Sequence, residues 1–181
     1  MSSLHGTDKT PQGQEISHSV QMTLERLTPL LGVWQGSGHG EYPTIADFHY
    51  TETIRFRREC GADYLTYEQS TELVDAQGNP IRRSHWEAGV LKPLDDGEIE
   101  LACVQSGGRV EVLRGNMLAE ETHPAKFSLR FHSALVGNDA RVRSTSRKWH
   151  LDGDQFRYEM RMAAQSVDEL ILHVEASLHK L

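Results

Sequence analysis

The residues of this chain best placed to do chemistry are two histidines on its C-terminal stretch, Leu170 to Leu181. His173 and His179 are separated by about 20 Å along a regular strand, too far to share one metal ion. If either is a ligand it acts alone, as the single axial imidazole of a haem iron does. The competing reading is a pair of surface histidines on a half-wet strand. Other familiar chemistries lack their residues. Cys60 and Cys103 are isolated, without the CxxC spacing of a zinc or redox pair, and read as buried thiols. A disulfide between them needs an oxidising compartment. No HExxH, GxxxxGK, GxSxG or strand-borne GxGxxG occurs, so metalloprotease, nucleotide and serine-hydrolase chemistry has no foothold.

The elements that must hold such a site are strands. In the last one, strict alternation sets Leu170, Leu172, Val174, Ala176 and Leu178 on one face. Ile171, His173, Glu175, Ser177 and His179 take the other. Upstream, Phe48, Tyr50, Glu52, Ile54 and Phe56 alternate in the same way, as do Leu65, Tyr67, Gln69, Thr71 and Leu73. Turn signals at Asp75–Pro80, Asp95–Gly97, Ser106–Gly108, Gly137–Asp139 and Asp152-Gly153 divide the chain into about ten short strands. No amphipathic helix is available for a parallel crossover. A meander of this length must close or expose its edges. The expected fold is therefore an all-β, about ten-stranded antiparallel up-and-down β-barrel of the lipocalin and fatty-acid-binding kind. Tyr, Thr, His and Gln recur on the inward face, which suits a ligand cavity better than a packed core. Before the barrel, Leu24, Leu27 and Leu31 have helical spacing with Pro29 in the way, which predicts a short N-terminal helix packing on the barrel end.

With 181 residues, one barrel domain over 21–181 preceded by a flexible arm over 1–20 is the most economical division. A net charge of -7 offers no nucleic-acid footprint. The clusters Arg55, Arg57, Arg58 and Arg141, Arg143, Arg147, Lys148 read as solvated outer faces. No apolar run approaches about 18 residues, so no membrane span is expected. The N-terminus lacks a signal or transit pattern, which implies a cytoplasmic protein. The pattern fits a monomer or a homodimer equally.

The most distinctive stretch is Gly32-Val33-Trp34-Gln35-Gly36-Ser37-Gly38, followed by Tyr42-Pro43-Thr44-Ile45. Trp34 is placed to plug the closed end of the barrel, and the alternate glycines allow sharp bending and close approach. The run GxWxGxG with its Tyr-Pro-Thr-Ile loop resembles the nitrobindin family of haem-binding β-barrels, over roughly Leu30 to Lys180. His85-Trp86-Glu87-Ala88-Gly89, Leu151–Asp154 and Leu178-His179-Lys180 resemble further segments of that family.

The resemblance implies a ferric haem b, its iron held by His179, with Thr44 contacting the haem and His85 on the distal side. His173 is the rival ligand, though the Leu178-His179-Lys180 segment favours His179; a bulge between the two would put them on opposite faces. The implied activity is isomerisation of peroxynitrite to nitrate, with nitric oxide binding as a related property; the partners are then haem and small reactive nitrogen species. A non-catalytic carrier of fatty acid or another apolar ligand is the alternative, because fold does not set function. Such carriers use an internal Arg or Lys, and the expected outward direction of the arginines speaks against it. A haem or nitric-oxide sensor needs the same pocket.

Overall fold

The computed structural model describes residues 16–120 and 122–181. One helix and a 3₁₀ turn lead into ten strands. Helix α1 runs His18–Leu27 and the turn Thr28–Leu30. The strands are β1 Gly32–Tyr42, β2 Ile45–Arg57, β3 Leu65–Val74, β4 Pro80–Pro93 and β5 Ile99–Gln105. They continue as β6 Val110–Ala119, β7 Lys126–Gly137, β8 Val142–Asp152, β9 Gln155–Ala164 and β10 Val167–Lys180. Each pairs antiparallel with its neighbour, and β1 pairs with β10 to close the barrel. The expected all-β barrel, with its ten strands and short helix, is the observed fold.

The arm expected over 1–20 lies, for residues 1–15, outside the described residues. The helix starts earlier than the leucine spacing indicated, since Ser17 caps it and Val20 is already in the core. Pro29 does not interrupt α1. It sits in the following 3₁₀ turn, where its missing N–H is no loss. Leu24, Leu27 and Leu30 are fully buried against Trp34, whose indole N–H donates to the Leu30 carbonyl at 2.7 Å. Lys180 reaches over the same ring, 5.3 Å from its centroid, and donates to the Pro29 carbonyl at 2.8 Å. Helix, Trp34 and the C-terminal lysine thus seal one end, leaving the site to form towards the other.

The glycines of β1 make room inside the barrel. Gly36, Gly38 and Gly40 lie opposite Glu52, Tyr50 and Phe48 of β2. A Cβ on Gly38 or Gly40 would lie 2.4 Å from the Tyr50 ring or 2.1 Å from the Phe48 ring. At Gly36 it would sit 2.0 Å from the Ser177 carbonyl oxygen and 2.7 Å from Leu178 Cα, both backbone atoms of β10. Gly36→Ala must therefore spread the closing pair of strands, and about 3 kcal/mol of stability is expected to be lost in urea unfolding. Gly107→Ala, where no atom lies within 4 Å, is the control and should stay within about 0.5 kcal/mol of the parent.

The last strand departs from regularity where it matters most. Leu172 pairs with Arg161 while Val174 pairs with Met160, so β10 carries one extra residue at His173. Below this bulge Val174, Ala176 and Leu178 follow the expected inward alternation. Above it the faces exchange, and Leu170 is exposed rather than inward.

Candidate functional site

The bulge turns both His173 and Val174 onto the wall of a cavity of about 230 Å³ inside the barrel. Its apolar lining comes from Phe48, Ile54, Phe56, Trp149 and Met160, and its polar lining from tyrosines, His85, Glu87 and two arginines. His173 is fixed by aromatic contacts. Tyr42 meets it edge-on at 5.2 Å between ring centroids, and Phe48 lies at 6.5 Å. Its Nδ1 is buried and, among the described residues, has no hydrogen-bond partner. Burial lowers the His173 pKa below the usual histidine value, and the positive charge of Arg109 and His85 adds to this. A neutral imidazole with an orphaned ring nitrogen, facing a cavity, has the chemistry of a metal ligand.

His179 is placed elsewhere. It is exposed on the outer face, opposite Gln35 of β1 and Gln155 of β9, and does not line the cavity. The structure does not bring His179 to the cavity, contrary to expectation; the bulge presents His173 there instead. Thr44 is exposed in the tight turn between β1 and β2, at the same end of the barrel as His173. Its side chain is outside the cavity lining, whereas Tyr42 two residues earlier is buried and touches His173. His85 lines the cavity from β4. Its peptide N–H donates to Thr71 Oγ1 at 3.0 Å, and its Nε2 is 3.9 Å from Glu87 Oε2.

Beside His85 lies a buried charged network. Arg147 Nη2 donates to Glu87 Oε2 at 2.9 Å and to Glu111 Oε2 at 3.0 Å, while Nη1 donates to Glu87 Oε1. Gln105 Nε2 donates to Glu87 at 2.8 Å and to Glu111 at 3.2 Å, Thr145 donates to Glu111 at 3.1 Å, and the Tyr67 hydroxyl donates to Glu87. Burial alone would raise the Glu87 carboxyl, but Arg147 and the surrounding donors hold it well below the usual carboxylate range. Arg147 is therefore inside the barrel, contrary to its expected place on a solvated face. It shares alternation parity with Trp149 and Leu151, and that parity was the signal. Cys103 lies 3.6 Å from Arg147, buried, with its thiol pushed up to about 11 by burial.

Glu52 anchors a second cluster on the inner face of β2. Gln69 and Tyr158 donate to its Oε1, and its Oε2 has no partner. Burial raises its pKa from 4.5 to about 7, against the hydrogen bonds from Gln69 and Tyr158. The folded protein thus holds a proton that the unfolded chain releases above about pH 4.5. The associated stability is present below that pH and is lost as pH rises through 7. Glu52→Gln, which keeps the shape without the charge, should stabilise the barrel by about 3 kcal/mol near pH 8 and much less near pH 5. Urea titrations at the two pH values test this.

A family model described as a THAP4-like, heme-binding beta-barrel domain matches residues 23–180. The chain belongs to the nitrobindin family. Among curated relatives, the protein named peroxynitrite isomerase Rv2717c from Arabidopsis thaliana is 39% identical over 165 residues, 91% of this chain and 93% of the relative. A peroxynitrite isomerase from Nocardia farcinica is 33% identical over 91% of this chain and 94% of its own. The crystal structure of Rv2717c from M. tuberculosis superposes with a TM-score of 0.75 at 31% identity, covering 92% of this chain and 99% of that one. An S-type phycobiliprotein lyase from Guillardia theta, 10% identical with a TM-score of 0.57, shares the fold alone. The closed barrel described above is thus a nitrobindin haem-binding domain.

Proposed function

We propose that this nitrobindin binds ferric haem b through His173 and isomerises peroxynitrite to nitrate, with nitric oxide binding at the same site. The observation that carries this is the orphaned, neutral imidazole that the β10 bulge turns into the barrel cavity. The names of the relatives from A. thaliana and N. farcinica support the reaction.

Haem supplies, when bound, an iron that acts as Lewis acid and one-electron partner towards the peroxide bond. The residues of the chain do the rest. His173 is the one protein ligand, and Tyr42 and Phe48 hold its ring in orientation. The aromatic wall of Phe48, Phe56 and Trp149 excludes water. His85, backed by the Glu87 carboxylate, can hold a proton beside an anionic substrate. Thr44, on the rim, would contact the edge of a macrocycle too large for the cavity alone. Of the two cysteines, Cys103 is buried as expected, whereas Cys60 is exposed. Among the described residues no helix is long and apolar enough to cross a membrane.

The carrier reading loses support on a different ground from the one expected. Two arginines do line the cavity, but Arg147 already engages Glu87 and Glu111, and Arg109 lies 2.9 Å from Glu111, so neither is left free for a fatty acid's carboxylate. Titration of the purified full chain with haemin, followed in the Soret region, should show saturable one-to-one binding. Stopped-flow mixing with peroxynitrite should then show decay accelerated in proportion to bound haem, with nitrate as product. Absence of saturable binding would return the chain to the carrier reading.

A further inference from the structure

The Glu52 cluster has no part in the function just proposed, yet it borders the same cavity. Tyr50, Gln69 and Tyr158 line that cavity together with His173. The Tyr158 hydroxyl donates to Glu52 Oε1 at 3.0 Å. It also lies 3.0 Å from the Tyr50 hydroxyl and 3.1 Å from Gln69 Nε2. Both rings are buried. A phenol gives up an electron readily when its proton leaves in the same event, which requires a base within hydrogen-bond reach.

Two tyrosines of the barrel donate to a carboxylate, and only one of those carboxylates is a competent base. Tyr67 donates to Glu87, which Arg147 neutralises through two hydrogen bonds. Tyr158 donates to Glu52, which among the described residues has no cationic partner and one oxygen left without any partner. Burial pushes the Glu52 carboxyl up to about 7, so that it holds a proton far better than Glu87 does.

We infer that Tyr158, with Glu52 as its proton acceptor, is a one-electron oxidation and nitration site for nitrogen dioxide entering the cavity. In the first step the Tyr158 O–H bond breaks. The proton passes to the Glu52 carboxylate, and the electron passes to nitrogen dioxide, which leaves as nitrite. The resulting tyrosyl radical combines with a second nitrogen dioxide through a new C–N bond ortho to the oxygen. Loss of the ring proton from that carbon restores the phenol as 3-nitrotyrosine. The sum is one phenol and two nitrogen dioxide molecules giving one nitrophenol, one nitrite and one proton. The inference rests on the proposed function only for the source of nitrogen dioxide, which homolysis of protonated peroxynitrite supplies.

The full chain, haem-free and haem-loaded, is exposed near pH 8 to radiolytically generated nitrogen dioxide. Freeze-quench EPR then detects the radical, and peptide mass spectrometry locates the nitro group. Label is expected at buried Tyr158 ahead of the more accessible Tyr64, in both forms of the protein. Glu52→Gln keeps a hydrogen-bond acceptor but no base, and should slow formation of the Tyr158 radical roughly 100-fold, the low end of a positioned proton acceptor's contribution. Nitration of Tyr64 should not change in that variant, and Tyr158→Phe should remove the radical signal. Labelling that follows exposure, or a radical indifferent to both substitutions, would overturn the inference. Nitration of Tyr158 in a chain that fails to bind haemin would overturn the haem reading and leave this one standing.

Discussion

Replacing His173 by alanine is expected to weaken haem binding by roughly 100-fold or more, the loss of about 3 kcal/mol of metal–ligand free energy. The barrel should remain folded, because His173 is only half-buried and contributes no hydrogen bond through Nδ1. His179→Ala is the paired control. That side chain is exposed on the outer face, and haem affinity in its absence should match the parent. The two variants separate the inward histidine from the outward one in a single Soret titration. Retained binding in His173→Ala together with loss in His179→Ala would reinstate the outer residue. The pH dependence has a definite sign. The iron needs a neutral imidazole, and burial lowers the His173 pKa from its ordinary value of 6.5. Haem affinity should therefore stay level as pH falls to 6.5 and decline only in more acidic solution.

The two histidines also mark what could be read from the chain and what could not. Alternation, turn residues and the Trp34 motif sufficed for ten strands, their order and the sealed end. Those signals are local: each depends on residues within one strand or one turn. The β10 bulge is not local. It is defined by which residues of β9 face Leu172 and Val174, and a straight period of two run through the strand sends Leu170 inward and His173 outward. One extra residue reverses both. The inner arginine is a milder case. Arg147 stands in an Arg-rich run that looks solvated as a whole, but Thr145, Arg147, Trp149 and Leu151 share one face and are all buried. Glu52, Glu87 and Glu111 likewise lie in inward register among apolar neighbours. Composition argued for the surface and parity for the core, and parity was right. In a barrel with a cavity, charges can be interior when they satisfy one another.

That mutual satisfaction makes the Glu87–Arg147 pair the most sensitive structural element beside the site. Both side chains are nearly inaccessible, with side-chain exposures of 2% and 6%. Removing one partner strands the other charge where water cannot reach it. Glu87→Ala is expected to cost about 3–5 kcal/mol, as broken buried pairs do. With a urea dependence of about 2 kcal/mol per molar, the unfolding midpoint should fall by roughly 2 M. Replacing both residues by methionine should cost less than the two single changes added together, because neither charge is then left alone. Additive losses in that cycle would mean that the pair is not coupled. The pH dependence runs opposite to that of Glu52. Arg147 and the donors around it depress the Glu87 carboxyl, so its contribution is full above the unfolded value near pH 4.5 and is lost as pH falls below it. Glu87→Gln should flatten the acid limb of the stability curve, whereas Glu52→Gln should raise the alkaline one. One inner carboxylate is held charged by an arginine and the other is held near neutrality by burial. His85 thus lies beside a carboxylate kept ionised by its arginine, and Tyr158 beside a base at Glu52 that can still take up a proton.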